Sequence, residues 1–334
     1  MHITWYPWLN KSYKNIIYNY QTKKLHHAII IESYNIKNSI KLIQAISQWI
    51  LCENKNNIHS CGKCKGCILF LANNHPDLYK LFITTSENTL DILKIRKTIH
   101  NLQNTSQQNC NKILWIKDYQ TLTIFGINTL LKIIEEPPQD TLFFIGKSIN
   151  NNLHLTLQSR CILYRIPTPV EKQGVFWIQK QLNISKNMSI IELRINNHDP
   201  ELALQSLKNK KWIQRIKVFQ ILELSIHNDN FLKLLPILNT QNGIIKIYWI
   251  ILILLDSLKI KKKMIPFLIN LDQMNLITKM SNKYSFDYLY KILYSWIQCR
   301  HHLIYTKNIN QELLILQQLL KWNMIKTHIH IHKR

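Results

Sequence analysis

Apolar residues follow two rhythms along the first half of this 334-residue chain. Five short runs, Ala28 to Ile31, Leu78 to Ile83, Ile113 to Ile116, Thr141 to Ile145 and Ile162 to Ile166, are of strand length and rich in isoleucine and aromatics. Between them the spacing becomes helical. Ile40, Ile43, Ile46 and Ile50 form one stripe, Ile92, Ile95, Ile99 and Leu102 a second, and Ile127, Leu130, Leu131 and Ile134 a third. Strands alternating with helices predict an α/β domain over residues 1–166, with a mostly parallel sheet covered by helices on both faces.

Pro167 and Pro169 end that alternation, and from there the pattern is helical only. In NNHDPELALQ, Asp199 suits an N-cap and Pro200 the first helical turn, so a helix should begin there. We expect a small helical domain over 167–207. Stripes in Ile213 to Ile226, Ile244 to Leu258, Phe286 to Ile297 and Leu313 to Trp322 predict a separate helical bundle over 208–334. Six glycines in the whole chain leave little room for long flexible linkers. The longest apolar run, Ile247 to Leu255, is about half of what a bilayer requires, so it is expected to be a buried helix.

The formal charge of +24 points toward polyanions. Lysine is nevertheless spread along the chain together with isoleucine and asparagine, so the charge predicts no single basic patch.

Cysteine spacing is more informative. Cys52, Cys61, Cys64 and Cys67 stand in CENKNNIHSCGKCKGC with gaps of eight, two and two residues. Four thiolates bind zinc tetrahedrally and leave no open position, which predicts a structural rather than a catalytic ion in a module at 52–67. Gly62 and Gly66 are expected to relieve tight backbone there. A disulfide scaffold is the competing reading. The stretch after Met1 lacks a secretory pattern and a chain of this length needs no staples, which favours zinc and a cytoplasmic location. Cys110 and Cys299 add nothing to this choice. His328, His330 and His332 read as a solvated basic tail.

A strand, turn and helix at the start of an α/β domain is where a phosphate-binding loop would lie, and the chain has HAIIIESYNIKNSIKLI there. That loop needs G-x-x-x-x-G-K-[ST]. Ser33 takes the place of the first glycine, and Asn38, Ser39 and Ile40 replace Gly-Lys-Thr, with Lys37 only a near miss. In KILWIKDYQTL the strand ends at Asp118, but Tyr119 follows where an ATPase would need a glutamate to activate water. No ATP is therefore expected in this domain. Asp118 reads as a capping carboxylate. Trp5, Tyr6 and Trp8 are expected to fold over the vacant pocket.

The segment NTLLKIIEEPPQDTLFFIG joins an amphipathic helix, a double-proline stop and a buried strand, and Ser159-Arg160-Cys161 follows. Leu130-Leu131-Lys132 with Glu135-Glu136-Pro137-Pro138 and then Ser159-Arg160-Cys161 resembles the AAA+ clamp-loader subunits of bacterial DNA replication, which carry a zinc module where this chain has its cysteines. WYPWL at 5–9, HHA at 26–28 and HPD at 75–77 narrow the resemblance further; the helical half matches by position and length more than by motif.

The resemblance implies that Arg160, with Ser159 orienting its loop, is an arginine finger offered in trans to ATP on a neighbouring motor subunit. It makes Cys161 a packing residue. It makes Lys147 a mark of decay where an active relative senses the γ-phosphate, and it leaves His198 and Asp199 where a second sensor arginine would stand. It further implies a C-terminal helical collar and partners: the motor (gamma/tau) subunits and the clamp-opening delta subunit in a hetero-pentamer, with the sliding clamp and primer-template DNA reached through the complex and no membrane. Nucleotidyl transfer would belong to the polymerase holoenzyme and not to this chain. Two rival readings demand other residues. An ATP-hydrolysing motor subunit would need a lysine near Asn38 and a glutamate at Tyr119. A stand-alone zinc-dependent nucleic-acid-binding protein would need more basic and aromatic residues on the zinc segment than Lys63 and Lys65.

Overall fold

The computed structural model describes residues 5–83, 89–106, 111–149, 153–306 and 309–331, the side chains of 324–331 excepted. Cys110 and His332, and the side chains of His328 and His330, lie outside the described residues. The chain divides into two compact units, Met1–Pro169 and Val170–Arg334.

The first unit runs α1 (Asn10–Gln21), β1 (Ala28–Ser33), α2 (Ile36–Ile50), α3 (Lys65–Leu71), β2 (Leu78–Leu81), α4 (Ile92–Leu102), β3 (Lys112–Ile116), α5 (Ile124–Glu135), β4 (Thr141–Ser148), α6 (Leu155–Gln158) and β5 (Ile162–Arg165). All five strands are parallel, in the order β2-β3-β4-β1-β5. β1 is buried along its whole length because it lies inside the sheet with both faces covered. Its alternation decides which face each residue serves: Ala28 and Ile30 join Leu114, Ile116, Phe143 and Ile145 in a core closed by Ile95 of α4 and Ile127, Leu130 and Ile134 of α5. α2 packs on β1 and β4 and contributes no residue to that core, so it takes the other face, where Ile29, Ile31 and Phe144 are buried.

The α/β architecture expected from the apolar rhythm is thus the one observed. β4 is longer than its apolar run, because Gly146, Lys147 and Ser148 continue the pairing with β1. Gly146 permits this: a Cβ there would stand 2.3 Å from the Lys117 carbonyl oxygen.

The second unit is helical: α7 (Glu171–Gln181), α8 (Lys186–Ile195), α9 (Pro200–Lys208), α10 (Lys211–His227), α11 (Leu235–Leu238), α12 (Gly243–Lys261), α13 (Met274–Lys283), α14 (Phe286–Tyr305) and α15 (Gln311–Ile331). Asp199 caps α9 as expected, its Oδ1 accepting from the N–H groups of Glu201 and Leu202 at 2.9 Å each, with Pro200 at the first turn. Ile247 to Leu255 lies in α12, whose Ile250, Ile253 and Leu254 are fully buried between α10, α13 and α14. Ile191 and Ile195 of α8 belong to the same core as α10 to α15. Among the described residues no helix is long and apolar enough to cross a membrane.

Candidate functional site

In a parallel sheet, ligands bind beyond the carboxyl ends of the strands. At that edge β1 ends at Ser33, and the following turn is closed by its own side chains. Ser33 Oγ donates to the Asn35 carbonyl (2.7 Å) and lies 3.0 Å from Ser39 Oγ; Ser39 Oγ also donates to the Ile36 carbonyl (2.9 Å). Asn35 caps α2, its Oδ1 accepting the Lys37 N–H at 3.0 Å. A phosphate loop would leave such N–H groups for an anion. Asn38 is buried and its Oδ1 accepts from Trp8 Nε1 at 3.2 Å, while Ile40 is half-buried on α2. Tyr6 stacks on Trp8 with centroids 4.7 Å apart, and the Lys41 ammonium sits 3.6 Å from the Tyr6 ring centre. Tyr6 and Trp8 therefore pack on the segment where they were expected, whereas Trp5 donates through Nε1 to Asn10 Oδ1 at 2.5 Å and packs edge-on against Tyr13.

Asp118 is a capping residue, as anticipated: its Oδ1 accepts the Gln120 N–H at 3.0 Å. Tyr119 is buried, and its hydroxyl oxygen accepts the backbone N–H of His154, the N-cap of α6, at 2.9 Å. The residue standing in the base position thus braces the short helix that leads to Arg160.

Lys147 stands beyond the apolar run Thr141 to Ile145 in the sequence. It lies inside β4 rather than after the strand, it is buried, and its ammonium is ion-paired with Glu32 of β1. Glu32 also receives Arg165 Nε of β5 at 2.5 Å. Lys147, Glu32 and Arg165 are register partners across three adjacent strands, so pairing alone sets the three charges side by side. Burial pushes the Glu32 carboxyl up, but the hydrogen bonds from Lys147 and Arg165 together outweigh it and hold the group below its ordinary value. Sequence reasoning missed this triad. The signal was one charge at the same end of each of three apolar strands.

Ser159 and Arg160 follow α6 on the surface. Arg160 Nε donates to Glu135 Oε1 at the end of α5, and Nη1 donates to the Thr156 carbonyl (3.2 Å) and to Ser159 Oγ (3.1 Å). Ser159 Oγ in turn donates to the Thr156 carbonyl at 3.0 Å. These partners belong to α5 and the α6 turn, and none to the segment 33–40. Cys161 is buried in the sheet core, its thiol pushed up to about 12 by burial. His198 lies 4.0 Å from Glu171, which Arg194 already holds through Nε (2.8 Å) and Nη2 (3.0 Å).

The four cysteines converge. Their sulfurs all lie within 4.8 Å of one another, with Cys52–Cys61 at 3.5 Å and both Cys52–Cys64 and Cys61–Cys67 at 3.9 Å. Tetrahedral zinc thiolates at ~2.3 Å from the metal require sulfurs ~3.8 Å apart, so the donor set fits the ion. Backbone N–H groups of Cys61, Cys64 and Cys67 each reach a sulfur at 3.3 Å, as thiolates demand. The N–H groups of Lys63 and Cys64 lower the Cys61 thiol to about 6. Gly62 has φ +71°, the turn conformation expected of it. Gly66 relieves tight backbone in another way: it lies within α3, and a Cβ there would stand 2.4 Å from the Leu51 carbonyl oxygen.

Together these define a five-stranded parallel α/β domain whose β1–α2 turn is closed by its own side chains, together with a four-cysteine cluster and a helical unit. Residues 8–170 match the family described as DNA polymerase III, delta subunit, and residues 209–324 its C-terminal part. The chain is 39% identical over 321 residues to a DNA polymerase III subunit delta' of Buchnera aphidicola subsp. Schizaphis graminum, covering 96% of this chain and 98% of that one. It is 32% identical over 317 residues to that of Escherichia coli K12, covering 95% of each. A solved gamma subunit-related protein of DNA polymerase III from Thermotoga maritima aligns with 95% of this chain and 99% of its own at TM-score 0.46 and 14% identity. The chain belongs to the DNA polymerase III delta' subunit family.

Proposed function

We propose that this chain is an ATPase-inactive clamp-loader subunit that lends Arg160 in trans to ATP held by a neighbouring motor subunit while a sliding clamp is placed on primed DNA. The observation that carries this reading is a pairing of opposites in one domain. Ser33, Asn38 and Ser39 are closed on themselves, whereas Arg160 stands half-exposed at the end of a braced turn. Asp118 and Tyr119 are both engaged in structural bonds, which leaves no base for water. A guanidinium suits charge developing on transferred phosphate and cannot lose its proton, and fingers of this kind are worth about 10³ to 10⁵ in rate.

The partners on this reading are gamma/tau motor subunits and a delta subunit in a hetero-pentamer in the cytoplasm. The cysteine cluster would hold a structural zinc ion. Residues 167–207 would act as a lid-like domain and 208–334 as a collar, a division supported by the second family match beginning at 209. The collar has a surface suited to packing: α14 exposes Phe286, Tyr290, Tyr294, Ile297, Ile304 and Tyr305, which its helical period aligns on one side.

The deciding experiment is the ATPase rate of motor subunits reconstituted with this chain, clamp and primed DNA, against Arg160→Ala and against the chain alone. We expect no activity alone and a loss of at least about tenfold with Arg160→Ala. Hydrolysis by the chain alone refutes the inactive site, and an unaffected complex removes the finger.

A further inference from the structure

Arg160 is already held. Its Nε donates to Glu135, and Nη1 donates to Thr156 and Ser159, so the guanidinium lies back on its own domain. Glu135 is the last residue of α5, fixed there because Pro137 disfavours helix at Glu136, whose φ and ψ of −121° and 76° leave the helical region. A carboxylate in the last turn of a helix faces the negative end of the macrodipole, where a cation would serve better. Helix stability therefore does not account for Glu135. What it does have is an arginine.

We infer that Glu135 is a latch for Arg160: its carboxylate stands in for an anionic phosphate and keeps the guanidinium folded back until a neighbour's nucleotide displaces it. This rests on the trans-finger reading. The side chains of Arg160 and Glu135 are 39% and 45% exposed, so solvent screens the pair and it holds by a factor of about two to five. A triphosphate carries more charge and more acceptor oxygens than one carboxylate, so the exchange runs toward the neighbour's nucleotide once it is in reach. No bond is made or broken in the step; one ion pair replaces another.

The latch taxes docking and not chemistry, since only unlatched chains present the finger. The test titrates this chain into motor subunits with clamp and primed DNA at about 50 mM salt, where screening is weak, and reads ATPase. Glu135→Gln should lower the half-maximal concentration two- to fivefold and leave the plateau unchanged. Glu136→Gln removes the same charge one residue away, without an ion pair to Arg160, and should move it less than about 1.5-fold. At about 0.5 M salt the advantage of Glu135→Gln should vanish. Equal shifts for the two variants, or a lower plateau with Glu135→Gln, overturn the latch while leaving the finger intact. An Arg160→Ala variant with wild-type rates overturns both.

Discussion

At the scale of single residues, Glu32 has a clear consequence for stability. It is buried between a buried lysine and an arginine whose side chain is 64% exposed, so its two partners are not equivalent. Glu32→Gln leaves the Lys147 ammonium buried without an anion, and urea unfolding should report a loss of about 3 to 5 kcal/mol. Arg165→Ala should cost under about 1 kcal/mol, because water takes over the outer half of the network. The same residue sets a pH signature. The folded carboxyl lies below its ordinary 4.5, so the unfolded chain takes up the proton first. The contribution of Glu32 is full above about 4.5 and is lost as pH falls through the folded value, so the gap between wild type and Glu32→Gln should be constant near neutrality and close on acidification.

At the scale of elements, α14 offers a clear prediction. Tyr290 and Tyr294 are each more than half exposed on the face away from Trp296 and Ile292, which are fully buried. Tyr290→Asp with Tyr294→Asp should leave the helical circular dichroism of the chain unchanged and reduce its retention in the reconstituted assembly, read by sedimentation; unchanged retention would remove this face from the collar contact. Most elements were legible in the sequence because burial imposes period: β1 and β3 are buried at every residue and stand out as apolar runs, and α5 announces its face through Ile127, Leu130 and Ile134. The end of β4 was not legible, since Gly146-Lys147-Ser148 is polar and its strand geometry comes from pairing with β1. Of the site, the cysteine cluster was readable from residue type and spacing alone. The Glu32 triad and the bonds of Tyr119 and Glu135 were not, because each joins residues at least 25 positions apart that only the sheet order brings together.

At the scale of the whole molecule, the two units have separate cores, and the cysteine cluster belongs to the first. Trp49 Nε1 donates to the Asn57 carbonyl and the Tyr13 hydroxyl to the Ile58 carbonyl, which tie the cysteine loop to α1 and α2. Stripping metal with a strong chelator should therefore lower the melting temperature of the first unit and shift tryptophan emission, while residues 170–334 produced alone melt unchanged; insensitivity of both would argue against a bound ion. Tyr119 carries a last consequence for any assembly this chain joins. Its hydroxyl is what receives the His154 N–H, so a glutamate placed there would change more than the residue next to Asp118. The shorter side chain would give up that bond and loosen the turn beneath Arg160. On the proposed function, one hydroxyl thus ties the residue beside Asp118 to the turn that carries Arg160, and a change at either end is felt at the other.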